Sequence, residues 1–359
     1  MNNENTDILK KDSVLENLTR TLLYEGYSLF PYHRNAIKNQ KPIPFGVVYP
    51  KEYNSFNIHA HSHMQTECIV TGDKNLIINF TVRFLHLRKI EILQKNRDQK
   101  TGNDNFIPVF ELNLKGEIFQ SGWQTIERKL TTGDLPVAQL LEKTEMVAFE
   151  FDQEIENNSL YNENGEEAAK KISSILEIKG SVMIKAFTVP GNQNAFRINV
   201  SINNSTTVIN AEEATRDEIF RQSFLSTHTI LNTMNGEFIS VQNPGENWRD
   251  IIANCENKDT WPILIDETNT TLLSSPIIVY DYPKINPKSK GDLFDSLEIE
   301  EALMLHFTVM SDEEKQKIAR SDEKLRSMLN KVSQVTPDEI ISLHGGFSNA
   351  LQPTNNNKE

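Results

Sequence analysis

The amino-acid sequence predicts an α+β protein: a β-rich antiparallel sheet or sandwich body with an N-terminal aromatic arm and C-terminal helices. Three observations carry that class. From 64 to 208 the apolar residues recur mainly at every second position, the period of a strand with one buried face. Within that stretch, Pro190-Gly191-Asn192-Gln193-Asn194 separates two alternating segments in the manner of a polar hairpin loop. After residue 310, Ser311-Asp312-Glu313-Glu314 and Thr336-Pro337-Asp338-Glu339 each read as a helix start, the second with proline at the first helical position.

Each segment follows from its own pattern. In 1–50, Val14, Leu15, Leu18 and Leu22 fall on one stripe of a helix over 12–23. An arm over 24–50 comes next, in which Pro31, Pro42, Pro44 and Pro50 prevent a continuous helix. Its aromatics Tyr24, Tyr27, Phe30, Tyr32, Phe45 and Tyr49 need a surface, since burying such a side chain is worth roughly 1.5–3 kcal/mol. The arm is therefore expected to pack on the β-rich domain, 51–210. Strands are expected there at 76–90, 180–187 and 196–202, with Phe80, Val82 and Phe84 on one face and Thr81 and Arg83 on the other. The polar run 95–105 reads as a hairpin loop or a small disordered excursion. Ala168, Ile172 and Ile175, at helical spacing, predict a helix over 165–176.

The portion 211–310 reads as mixed α/β. It has a helix at 215–226, a strand at 238–241 and a short helix or turn at 247–253, with short buried strands at 261–265 and 277–280. Helices are expected over 311–346, and the polar tail 347–359 reads as disordered.

Composition narrows the class further. A chain of 359 residues suffices for two or three domains or one large α+β unit. With 38% hydrophobic and 24% charged residues it has a globular rather than a disordered composition. Apolar runs such as 76–80 and 276–280 fall far short of the roughly 20 residues of a membrane helix. The opening Met1-Asn2-Asn3-Glu4 lacks the regions of a signal peptide. Two cysteines, Cys68 and Cys255, cannot build a disulfide framework, so a cytoplasmic location is expected. A net charge of −13 argues against nucleic acid or an anionic membrane as partner. It suits a protein that docks on a basic surface. Gly-x-Ser-x-Gly elbows, phosphate-binding loops and dinucleotide fingerprints are missing, which argues against nucleotide hydrolysis and hydride transfer.

The sharpest chemical signature is His59-Ala60-His61-Ser62-His63. On a strand the three imidazoles share a face and can address a transition metal, with Glu67 as a further ligand. A straight strand spreads the trio over about 13 Å, too wide for one ion, so two histidines with a remote Glu or Asp make the more workable set, to which the neighbouring Glu67 and Cys68 add a little. The plainer reading is a histidine-rich polar loop, and the sequence requires no cofactor. His86 reads as a cross-strand polar pair. His228 with Cys255 is a conceivable base and nucleophile. No flanking motif supports them, and isolated cysteines usually behave as small buried hydrophobes. Asp292, Asp295, Glu298, Glu300 and Glu301 form an acidic run around a helix. Acids in a first turn suit the helix dipole, and the same run is a candidate docking edge for a basic partner.

Several stretches carry a resemblance, in order along the chain. They include Tyr24-Glu25-Gly26-Tyr27, Pro31-Tyr32, Lys38-Asn39, Phe45-Gly46, Tyr49-Pro50 and Met64-Gln65-Thr66-Glu67-Cys68. Val82-Arg83-Phe84-Leu85-His86-Leu87 and Ser226-Thr227-His228-Thr229 continue it. The most specific run is Leu273-Ser274-Ser275-Pro276-Ile277-Ile278 through Gly291-Asp292-Leu293-Phe294-Asp295, then Ile299-Glu300-Glu301 and Ser311-Asp312-Glu313-Glu314-Lys315. Over 24–338 the chain resembles a bacterial family encoded beside uptake nickel–iron hydrogenase genes, a family with no assigned chemistry. The family's members also carry a further β-rich C-terminal portion.

The resemblance implies a context, hydrogenase assembly or function, and no mechanism. The expected function is that of a non-enzymatic accessory or scaffold protein that binds a hydrogenase subunit or a maturation factor. The alternative is a metal-dependent enzyme or metal-handling chaperone using His59, His61 or His63 with Glu67.

Overall fold

The computed structural model describes residues 15–16, 18–20, 22–23, 45–55, 57, 59–97 and 104–283. The chain divides after Pro283 into two compact units, and every described residue belongs to the first, Met1–Pro283.

One strand organises this unit. After the short helix α1 (Lys51–Asn54), β1 (His63–Arg97) runs for 35 residues. Its Val, Ile, Phe and Thr residues favour extended backbone over most of that length. β2 (Asp104–Val109) closes a hairpin with it, and β3 (Glu111–Leu114) and β4 (Glu117–Gln120) pair separately. β5 (Gly122–Thr131) and β6 (Leu135–Pro136) return along β1. Helix α2 (Val137–Glu142) leads to β7 (Glu145–Phe151), β8 (Glu154–Tyr161), β9 (Glu167–Ile175), β10 (Ile178–Val189) and β11 (Asn192–Asn204). Helix α3 (Arg216–Arg221), β12 (Leu225–Phe238), α4 (Arg249–Ala253), β13 (Trp261–Leu264) and β14 (Thr271–Ser275) complete the unit.

The registers show how the sheet closes on itself. Residues 63–71 of β1 pair with β11, and 70–85 pair with β12 on the opposite edge. Farther on, β5 lines one edge of β1 at 81–90 while β9 lines the other at 88–94. Since β11 also pairs with β10, and β10 is continued by β9 across Leu176 and Glu177, the circuit returns to β1. The result is one rolled antiparallel sheet, the shape that accumulated right-handed twist gives to so long a strand. β12, β13 and β14 belong to it, so the β-rich part extends well past residue 210.

Inside the roll, Leu76, Ile78, Phe80, Val82 and Phe84 of β1 pack with Val182 and Ile184 of β10, Ile198 and Val200 of β11, and Leu231 of β12. Phe84 stacks on Phe224 with ring centroids 4.7 Å apart, and Phe149 and Phe151 lie at 5.9 and 6.3 Å. On the other face of β1 the expected polar residues Thr81 and Arg83 are buried as well. Arg83 holds Glu16, and Leu15, Glu16, Leu18, Thr19, Arg20, Leu22 and Leu23 are helical, in keeping with the stripe expected over 12–23.

The strands expected at 76–90, 180–187 and 196–202 lie within β1, β10 and β11, and 261–265 contains β13. β1 and β2 pair up to Arg97 and Asp104, so the turn expected within 95–105 falls on 98–103, outside the described residues, and 247–253 contains α4. At the end of the arm, Val48 exchanges backbone hydrogen bonds with Phe224, and Tyr49 stacks on Tyr53.

Several expectations give way. Within 165–176, Glu167–Ile175 form strand β9, not a helix. β9 is flanked on both edges by β8 and β1, and Ala169, Ser173 and Ile175 are its buried residues, so tertiary pairing overrides the helical spacing. Helix α3 is confined to Arg216–Arg221, capped by a reciprocal Thr215–Glu218 box, and β12 starts at Leu225 and ends at Phe238. Residues 277–280 are not a strand; β14 precedes them, and Ile278 and Tyr280 are exposed. The arm over 24–44, the helices over 311–346, the acidic run and the tail lie outside the described residues. Among the described residues, no helix is long and apolar enough to cross a membrane.

Candidate functional site

Of the sequence-predicted ligands, His63 and Glu67 sit at the start of β1, on the sheet face opposite the core, and His59 and His61 precede it. Register sets Glu67 beside Asn199 of β11 and, one strand farther, Lys185 of β10; Ile69, Arg197 and Phe187 form the next row. Glu67 is only 6% exposed, so its charge needs partners. Its Oε1 accepts from Asn199 Nδ2 at 2.9 Å, its Oε2 accepts from the Glu256 N–H at 2.9 Å, and Arg197 Nη1 lies 3.7 Å away.

The loop 256–259 runs along the free edge of β1. The Asn257 side chain imitates a strand partner: its Oδ1 accepts from the Glu67 N–H at 2.9 Å, and its Nδ2 donates to the Glu67 carbonyl at 3.1 Å. Gln65 and Lys258 exchange backbone hydrogen bonds beside it.

This loop also engages two of the three histidines. His61 Nδ1 meets Asp259 Oδ2 at 2.5 Å, and His63 Nε2 accepts from Lys258 Nζ at 3.2 Å. Burial, then the charges of Lys258 and His61, hold the His63 imidazole below its usual pKa, with Asp259 opposing. His59 is exposed. The stretch before His63 is turn, so strand alternation does not align the trio. Among the described residues, the three-ligand group whose atoms lie within 4.8 Å of one another is Glu150, Asp152 and Glu177, not the histidines with Glu67. Lys179 bridges two of those acids, at 2.9 Å from Glu150 and 3.1 Å from Glu177.

Next to Glu67 the face opens into a groove of about 750 Å³ between the β10–β11 hairpin and α4. Ile69, Leu141, Val189 and Ile251 give it an apolar lining. Phe187 stands in its wall between two cations, with Lys185 Nζ 5.3 Å and the Arg197 guanidinium 5.1 Å from the ring centroid.

His228 and Cys255 do not form a dyad. Burial pushes the Cys255 thiol up to about 11, and its Sγ faces the Ile251 carbonyl at 3.8 Å. Cys68 is fully buried, which raises its thiol well above the ordinary value. His228 instead donates from Nδ1 to the Ser226 carbonyl of its own strand at 2.8 Å and accepts at Nε2 from Ser275 Oγ of β14 at 3.2 Å. Next to it, Ser274 Oγ joins Thr66 and Thr260 at 2.8 and 2.7 Å. Sequence reasoning missed this buried hydroxyl network; its signal was two consecutive serines at the end of an apolar run. Asp292, Asp295, Glu298, Glu300 and Glu301 lie outside the described residues.

Compared with protein-family models, curated proteins and solved structures, the chain gives no match.

Proposed function

We propose that this protein is a non-enzymatic accessory that works by stoichiometric binding, and that the groove at Lys185, Phe187 and Arg197 receives the partner. One observation carries the reading: an apolar groove with two cations at its wall, on a chain whose net charge is −13. That local contrast favours an extended segment with apolar side chains and at least one carboxylate. Apolar burial supplies most of the affinity. Exposed ion pairs add only about 0–1 kcal/mol each and chiefly steer the encounter.

The resemblance supplies the context, which makes the partner a nickel–iron hydrogenase subunit or a maturation factor. The acidic run at Asp292, Asp295, Glu298, Glu300 and Glu301 offers a second, oppositely charged contact. The metal-handling alternative is weaker, because His61, His63 and Glu67 already have protein partners.

The test is deletion of the gene in a host with an active uptake hydrogenase, with assays of hydrogenase activity and large-subunit processing. Impaired activity or processing is expected. Normal activity and normal processing contradict the hydrogenase context.

A further inference from the structure

Beyond Phe84 the inner face of β1 changes from aromatic to cationic. His86 and Arg88 continue the alternation that puts Phe84 in the core, and Arg128 stands opposite Phe84 on β5. The Arg128 guanidinium lies 4.3 Å from the Phe151 ring centroid, and its Nη2 is 3.5 Å from His86 Nδ1. Arg221, at the end of α3, donates from Nη2 to Ser174 Oγ at 2.9 Å. His86 is 0% exposed and feels the charges of both Arg128 and Arg221, while Arg128 feels that of Arg88.

These groups are incompletely satisfied. His86 Nε2 and the Nε atoms of Arg88, Arg128 and Arg221 are all buried without a hydrogen-bond partner. An unmet buried donor costs about 1–3 kcal/mol, and more when charged, so four around one spot call for an acceptor. Because Arg128 donates toward His86 Nδ1, the ring proton sits on Nε2; the Arg221 and Leu176 backbone carbonyls lie near the imidazole, but that atom closes a hydrogen bond to neither. Glu154 is within electrostatic reach of Arg128, as are Glu91 and Glu218 of Arg221. Yet among the described residues no carboxylate forms an ion pair with any of the three arginines. Each arginine is half-buried and keeps part of its surface in solvent.

We infer that His86, Arg88, Arg128 and Arg221 form a binding site for a tetrahedral oxyanion, a phosphoryl group carried by free phosphate or by a phosphate ester. Guanidinium forks match phosphoryl oxygens bidentately, and the neutral imidazole adds a donor without adding charge. One bound dianion meets the orphaned donors and relieves the repulsion between Arg88 and Arg128. This goes beyond the accessory reading and stands independently of it.

The test is isothermal titration of the full chain with inorganic phosphate and with glycerol phosphate, at matched ionic strength in chloride. Saturable binding near one per chain is expected, weakened at least about tenfold in Arg88→Gln and in Arg128→Gln. The tighter of the two probes distinguishes free phosphate from an ester as the source. Where a variant does not fold, phenylglyoxal modification of the wild-type chain, read by mass spectrometry, gives the answer: phosphate should protect Arg88, Arg128 and Arg221. Absence of saturable binding by either probe, binding unchanged by the substitutions, or no protection of these arginines overturns the site.

Discussion

Arg83 grips Glu16 through two parallel hydrogen bonds, Nη1 to Oε2 at 2.8 Å and Nη2 to Oε1 at 2.9 Å. Its Nε donates to Glu127 Oε1 at 2.7 Å, so one buried guanidinium ties the N-terminal helical residues to both β1 and β5. The fork matters because a cation only 4% exposed needs anionic acceptors at every donor it can reach.

Glu16→Gln should therefore lower stability by about 1 kcal/mol at neutral pH, a modest figure because the carboxylate itself is half in water. Burial tends to raise the Glu16 pKa, but the hydrogen bond and charge of Arg83, with Lys129 and Arg20, hold it below the usual value. A depressed folded pKa means the contribution is complete above the unfolded pKa and is lost as pH falls through the folded one. Urea denaturation at stepped pH should show wild type and variant converging in acid. An undiminished difference at low pH would contradict the linkage.

Gly180→Ala should be among the costly single-atom changes. A Cβ there would lie 2.6 Å from Phe149 Cζ and 2.7 Å from both Phe224 Cζ and the Asn203 carbonyl oxygen. The two rings belong to the cluster around Phe84, so yielding at Gly180 disturbs the centre of the roll. A loss of about 1–3 kcal/mol is expected, measured as a shift in the urea midpoint. A variant as stable as wild type would show that the rings shift freely.

The histidines of the interior should make the protein acid-sensitive before its carboxylates titrate. Burial foremost, with the charge of Arg83, pushes His228 down to about 4, and burial with Arg128 pushes His86 down to about 3. Between the ordinary histidine pKa near 6.5 and these values, the unfolded chain binds protons that the folded one does not. Stability is thus complete above about pH 6.5 and falls on acidification by up to about 1.4 kcal/mol per pH unit for each histidine. His228→Gln should be less stable at pH 7.5 but decline less steeply between pH 6.5 and 4. Equal slopes in the two proteins would rule out His228 as a contributor.

Neither cysteine should behave as a nucleophile. With Cys68 fully buried and Cys255 raised to about 11, little thiolate exists near neutrality. Iodoacetamide at pH 7.5 should label both slowly in the folded protein and rapidly after denaturation. Fast labelling of native Cys255 would reverse that conclusion.

Legibility in the sequence followed how many faces of a segment are buried. Phe80, Val82 and Phe84 declared the core face of β1 because period-2 alternation is unambiguous over that run. β9 hid because its buried residues, Ala169, Ser173 and Ile175, include a serine and do not read as an apolar face. β14 hid because Ser274 and Ser275 look polar, although Thr66, Thr260 and His228 satisfy their hydroxyls. Glu67 was singled out as a ligand, but its Asn199 partner comes from β11 and its Glu256 partner from a loop almost two hundred residues away. The arginines around His86 are scattered over β1, β5 and α3, and only the rolled sheet brings them together.

The most direct test of the accessory function is quantitative co-purification of tagged full-length chain from a host expressing the uptake hydrogenase, comparing wild type with Lys185→Glu combined with Arg197→Gln. The account predicts that the wild type retains a hydrogenase subunit or maturation factor in near-stoichiometric amount, and that the folded double variant loses most of it, with the wild-type association weakening as salt rises. Retention of the same partner in equal amount by the double variant would contradict the groove as the receiving surface, and failure of the wild type to retain any hydrogenase component would contradict the function itself.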